Sequence, residues 1–89
     1  MNYLVSYDLN KPGKDYSGVH KAIQNASTGS WCRPLESVYI IQSNLTAKGV
    51  YDRVYPLLDS NDLILVVGLT KDYCGYLNEN IVEYLKNMM

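Results

Sequence analysis

An α+β domain is predicted by three features of these 89 residues. The chain opens on a β-branched and aromatic run, stretches of strand-type and helix-type periodicity then alternate, and short clusters of Pro, Gly, Ser and Asn separate them. So short a chain leaves room for one domain only, and its core must be thin.

Residues 2–9 (NYLVSYDL) read as a first strand, ended by the Asn10-Lys11-Pro12-Gly13-Lys14 stretch. Asp15 or Ser17 can cap a helix whose apolar face is Tyr16, Val19, Ile23 and Ala26, and residues 27–30 stop it. Residues 31–35 form either a short edge strand or an extended loop, since Pro34 cannot donate to a sheet ladder. Residues 37–43 (SVYIIQS) are a strand. Thr46 then caps a second helix with Val50, Val54 and Leu57 facing inward, and Pro56 loosens its last turn. The unbroken apolar run over residues 63–69 (LILVVGL) predicts a strand covered on both faces or nearly so. After an irregular stretch, Asn78 or Asn80 starts a final helix with Ile81, Leu85 and Met88 in one stripe.

If residues 31–35 pair with 37–43, the order is a ferredoxin-like βαββαβ plait over residues 1–70 with an extra C-terminal helix over 71–89. If they do not, a three-strand parallel βαβαβα sandwich is the alternative.

Composition narrows the partners. Hydrophobic residues make up 47% of the chain and nine are tyrosines, more aromatic surface than so small a monomer hides, so a homodimer or higher homo-oligomer is expected. The net charge of −1 argues against a general polyanion binder. The charge is uneven, with Lys11, Lys14, Lys21 and Arg33 giving the first third a slight basic excess and the remainder being acidic. Cys32 and Cys74 lie far apart with a single histidine, His20, and no CxxC, so neither a zinc site nor a redox motif is indicated. With no signal peptide and no apolar run long enough to span a bilayer, a cytoplasmic location without membrane attachment is expected.

Asp8 is the main candidate for chemistry. It ends the first strand, at the edge of the sheet where ligands gather in α/β architectures, and strand alternation places Asn10 on its side. A carboxylate and an amide carbonyl suit a hard cation such as Mg2+, and two copies meeting across a dimer axis suit it better. The other reading is that the Asp8 side chain caps the following turn. Lys11 and Lys14 lie before the first helix and can attract an anion, although the spacing is not that of a P-loop. Trp31 and Arg33 can stack on a base or clasp a phosphate, or Trp31 can be a core residue. His20 falls on the exposed side of its helix, without a nucleophile beside it.

Tyr3-Leu4-Val5-Ser6-Tyr7-Asp8, followed by Arg33 and then Ser37-Val38-Tyr39, resembles the small CRISPR-associated adaptation protein numbered two in its series. It is also similar to virulence-associated protein D and to short bacterial and phage proteins labelled SinR. The resemblance covers roughly residues 1–70. It implies a ferredoxin-like homodimer, several of whose members cleave RNA or DNA with Mg2+, with Asp8 as metal ligand and Ser37 matching the family's serine.

Three functions follow as expectations. One is a Mg2+-dependent phosphodiesterase, with Asp8 and Ser37 at the reacting phosphate and Asn10, Lys11, Lys14, Trp31 and Arg33 along the nucleic acid. The other is a non-catalytic oligomer that binds a small nucleotide, such as a phage protein sequestering a nucleotide immune signal. A purely structural assembly subunit is the third.

Overall fold

A computed structural model describes residues 1–89. The elements are β1 (Asn2–Asp8), α1 (Ser17–Ala26), β2 (Trp31–Leu35), β3 (Val38–Gln42), α2 (Ala47–Val54) with a 3-10 turn Tyr55–Leu57, β4 (Leu63–Leu69) and α3 (Glu79–Met88). The four strands form one antiparallel sheet in the order β2-β3-β1-β4. This arrangement is compatible with a ferredoxin-like fold, and the parallel three-strand alternative is excluded because residues 31–35 do pair with β3.

Strict alternation along β1 sorts the sheet into two faces. Tyr3, Val5 and Tyr7 are buried on one face with Tyr39 and Ile41 of β3, beneath Val19, Ile23 and Ala26 of α1 and Val50 and Val54 of α2. On the other face, α3 covers only Cys32, Ile40 and Leu69, using Ile81, Leu85 and Met88. No helix is long and apolar enough to cross a membrane.

The local signals act as their chemistry dictates. Thr46 Oγ1 accepts from Gly49 N at 3.1 Å as the N-cap of α2. At α1 neither Asp15 nor Ser17 is the cap: the N-cap position falls on Tyr16, with no side-chain cap bond. Asp15 Oδ1 instead accepts from Ser17 N at 2.9 Å in a local turn ahead of the helix. Pro56 turns the end of α2 into 3-10 geometry. The turn after β1 closes with Lys14 N donating to Lys11 O, and Gly13 takes the positive φ of 78° required behind Pro12.

Two further expectations are corrected. Leu57 does not face inward; it is exposed, and Leu58 packs on the core instead, because the 3-10 turn rotates the chain after Val54. β4 is not covered on both faces. It is an edge strand whose Ile64 and Val66 meet the core while Leu63, Leu65 and Val67 face outward, Leu63 and Leu65 at 63% and 60% exposure.

Ile41 is fully buried beneath both helices of the core face. Ile41→Ala is expected to cost about 2–5 kcal/mol of stability, read from the shift in urea midpoint at unchanged slope.

Candidate functional site

The residues singled out by sequence fall into three groups. Two lie at the end of the sheet where β1 finishes, and one lies along edge strand β2, whose Trp31 is level with Tyr3 near the start of β1. Asp8 pairs with Leu63 in the β1–β4 ladder, so it projects on the face away from α1 and α2. It is exposed, and it contributes only its backbone carbonyl, a long contact from Asn10 Nδ2 at 3.5 Å. Its carboxylate does not cap the turn. Ser37 sits at the tip of the β2–β3 hairpin at this same end, its carbonyl accepting from Tyr7 N at 3.1 Å, and its side chain is exposed.

The turn is held by Asp62, a residue the sequence reading passed over. Asp62 Oδ1 accepts from Asn10 N and from the Tyr16 hydroxyl, both at 2.8 Å, and Oδ2 accepts from Asp59 N at 2.8 Å. Tyr16 in turn receives Lys11 N at 3.0 Å. Burial acts to raise the Asp62 carboxyl, but the two backbone donors, the Tyr16 hydroxyl and the Lys14 charge outweigh it, and its pKa lies below the ordinary aspartate value. The detectable signal was the spacing of Asp59, Asn61 and Asp62 ahead of a strand, residues that habitually bond nearby backbone.

This network occupies the side chains of two of the candidate ligand residues, Asn10 and Lys14. Asn10 lies beyond the end of β1, so strand alternation no longer applies to it, and its Nδ2 donates to Asn61 O at 2.8 Å. Lys14 Nζ donates to Leu57 O at 2.9 Å and pairs with Asp59 at 2.7 Å, while Lys11 meets Asp59 only at 3.7 Å and stays largely exposed.

The third group lies on the helix-covered face. Trp31 and Arg33 of edge strand β2 both lean on Tyr39, the indole at 5.7 Å between ring centroids and the guanidinium at 5.7 Å from the ring. His20 is not on the exposed side of α1, as its position in the sequence suggested. It is half-buried, with Nδ1 3.0 Å from the Tyr39 hydroxyl, which also receives Gln24 Nε2 at 3.2 Å. The Tyr7 ring meets His20 edge-on at 5.8 Å. Arg33 Nε and Nη2 both donate to Glu36 O, at 3.0 and 2.6 Å, and the Tyr7 hydroxyl reaches the same oxygen at 3.0 Å. Burial, followed by the Arg33 charge, holds the His20 pKa below its ordinary value.

No group of three or more His, Cys, Asp or Glu side chains on one chain could hold a metal. No protein-family model matches this chain, and no curated protein matches it.

Two titrations follow. His20 is the only histidine, so its imidazole resonance stands alone in an NMR pH series; its midpoint is expected below 6.5, and Arg33→Gln should raise it part of the way, since burial remains. For Asp62, whose folded pKa is depressed, the stabilisation is present above the unfolded aspartate pKa and disappears as pH falls through the lower folded value. Asp62→Asn should therefore be less stable than wild type at neutral pH, and the gap should close in acid, as measured by denaturant melts across pH.

Proposed function

We propose that the chain acts as a homodimeric, Mg2+-dependent phosphodiesterase on RNA or DNA, built on a ferredoxin-like plait, with Asp8 from each copy at the reacting phosphate. The observation that carries this reading is the setting of Asp8: an exposed carboxylate free of any cation or donor, at the head of a bare apolar strip. Strand pairing puts Leu63 beside Asp8, Leu65 beside Ser6 and Val67 beside Leu4, on the face that α3 covers only in part, and Leu63 and Leu65 lie where that face is bare.

One chain does not supply a magnesium site, because a single free carboxylate gives too few oxygen ligands. Two copies packed strip to strip about a twofold axis running along the strands would bury Leu63, Leu65 and Val67 and bring two Asp8 carboxylates to one end of the interface. An ion bound there would polarise a phosphate oxygen. The remaining work falls to this chain's own groups: the Ser37 hydroxyl can orient the backbone from the hairpin tip, and Lys11 is the lysine left free enough to meet a phosphate. The resemblance of residues 3–8 and 37–39 to CRISPR-associated and virulence-associated proteins supports the same assignment.

The test is cleavage of labelled RNA, single-stranded DNA and duplex DNA with Mg2+, Mn2+ or EDTA. Wild type should cut only with metal, and Asp8→Asn should lose at least about a hundredfold while eluting at the same size, since it touches only the reacting centre. Leu65→Asp should convert a dimer to a folded monomer by light scattering and abolish cutting with it. Metal-independent cutting, or equal cutting by Asp8→Asn, would sink the assignment.

A further inference from the structure

The outer edge of the sheet's helix-covered face carries aromatic and cationic groups that the fold sets on the face opposite Asp8. α3 packs against the other face of β2, and Trp31 N donates to the Tyr84 hydroxyl at 3.2 Å. On the helix-covered face α1 lies across β3 and α2 across β4, so β2 projects beyond both helices as an open ledge. On it stand Trp31, 36% exposed although one side packs on Tyr39, and Arg33, whose guanidinium is exposed above the same ring.

We propose that this ledge is a binding site for one nucleotide unit, its base stacked on Trp31 and its phosphate paired with Arg33. The inference goes beyond the Asp8 assignment and does not rest on it.

Three observations carry it. The charge of Arg33 is uncompensated: every ion pair in the molecule is made by a lysine, and Arg33 bonds only to the Glu36 carbonyl. Those bonds engage Nε and Nη2 and fix the plane of the guanidinium, leaving Nη1 for an anion, and a pre-positioned donor loses little freedom on binding. The backing is equally fixed. Tyr39 is 2% exposed, its hydroxyl held by His20 and Gln24, so the surface beneath the indole does not give way.

Spacing and charge select the ligand. Trp31 and Arg33 share a face because both lean on Tyr39, across the irregularity that interrupts β2 after Cys32. Two residues of extended chain span about 7 Å, the scale of a base and its own phosphate. Indole stacking is tolerant of base identity, and an arginine beside it adds cation–π attraction. A single arginine on this ledge, in a chain of net charge −1, suits a single phosphate rather than a long polyanion. The unit can come from a free nucleotide or from an unpaired strand.

Trp31 is the only tryptophan, so its fluorescence reports the ledge alone. Titrations with adenosine monophosphate, adenosine, single-stranded oligo(dA) and the same oligonucleotide as a duplex would be run in EDTA, where no metal-dependent cleavage intervenes. Saturable quenching by adenosine monophosphate is expected if the source is a free nucleotide, and by oligo(dA) alone if it is a strand. Adenosine and the duplex should bind at least about tenfold more weakly, as should Arg33→Gln, each having lost a charge-assisted contact or an open base face. Arg33→Lys should recover part of the affinity. Should Arg33→Gln fail to fold, Trp31→Leu replaces it, read by equilibrium dialysis of the nucleotide or anisotropy of a labelled oligo(dA), with the same loss expected.

Asp8→Asn should bind like wild type. No quenching by either phosphate-bearing probe, equal quenching by adenosine and adenosine monophosphate, or full affinity in Arg33→Gln would overturn the proposal. So would binding lost in Asp8→Asn and kept in Arg33→Gln, which moves the site to the other face. Because metal is absent throughout, a failure of the cleavage assay leaves this measurement standing, and the converse also holds.

Discussion

The Asp62 carboxylate is the contact on which the end of the sheet depends. It takes donors from the turn after β1, from the first residues of the α1 region and from the turn before β4, and so ties three chain segments to one buried group. An ionised carboxylate that receives several good donors is retained in a partly buried setting because its alternatives are worse: unpaired, it would meet the full cost of desolvation. The consequence reaches Asp8. With Asn10 pulled toward Asn61 and Asp62, the turn folds away from the strand end, and Asp8 is left in solvent with nothing bound to its side chain.

α1 connects this anchor to the opposite side of the sheet. Val19, Ile23 and Ala26 form its buried stripe, and Tyr16, His20 and Gln24 form the adjoining row at four-residue spacing. That second row carries polar tips along the rim of the core. Tyr16 binds Asp62 at one end, while His20 and Gln24 hold the Tyr39 hydroxyl further along. The buried tyrosines follow the same logic, Tyr3 donating to Leu45 O at 2.8 Å and Tyr7 to Glu36 O. Each buries a ring while placing its hydroxyl on a loop carbonyl or a helix side chain, so core packing and loop position are set together. The tyrosine content that suggested surplus aromatic surface is thus partly core, and the surplus is concentrated at Tyr55, Tyr73, Tyr76 and Tyr84.

Element order was legible because it rests on local chemistry: the Thr46 helix cap, the Pro12-Gly13 turn, and the alternation in β1 act over a few residues. What was not legible depended on neighbours far along the chain. The run Leu63–Leu69 has the composition of a doubly covered strand, but whether anything covers its outer face depends on where α3 lands, and α3 lands over β2 and β3. His20 looked exposed because it lies one step outside the apolar stripe; its partner Tyr39 is nineteen positions away and on another element. Asp62 was hidden for the same reason, its principal partners being at residues 10 and 16. For the candidate site, the individual residues were legible and their grouping was not.

That grouping constrains any account of how the residues cooperate. Asp8 shares a face with Leu63 and the bare strip, whereas Trp31 and Arg33 lean on Tyr39, which belongs to the helix-covered core. A sheet one backbone thick separates the two faces, and a nucleotide seated on Trp31 does not extend through it. On one copy the two sets therefore cannot grip the same nucleotide. The only surface that joins them is the hairpin tip, where Arg33 and Tyr7 hold the Glu36 carbonyl and Ser37 is exposed between the faces. A strand that used both sets would have to pass around this tip, and the hairpin's rigidity would then set the path. A ligand that does not round the tip engages one face alone, so the two sets define separable activities whose loss by mutation should be independent.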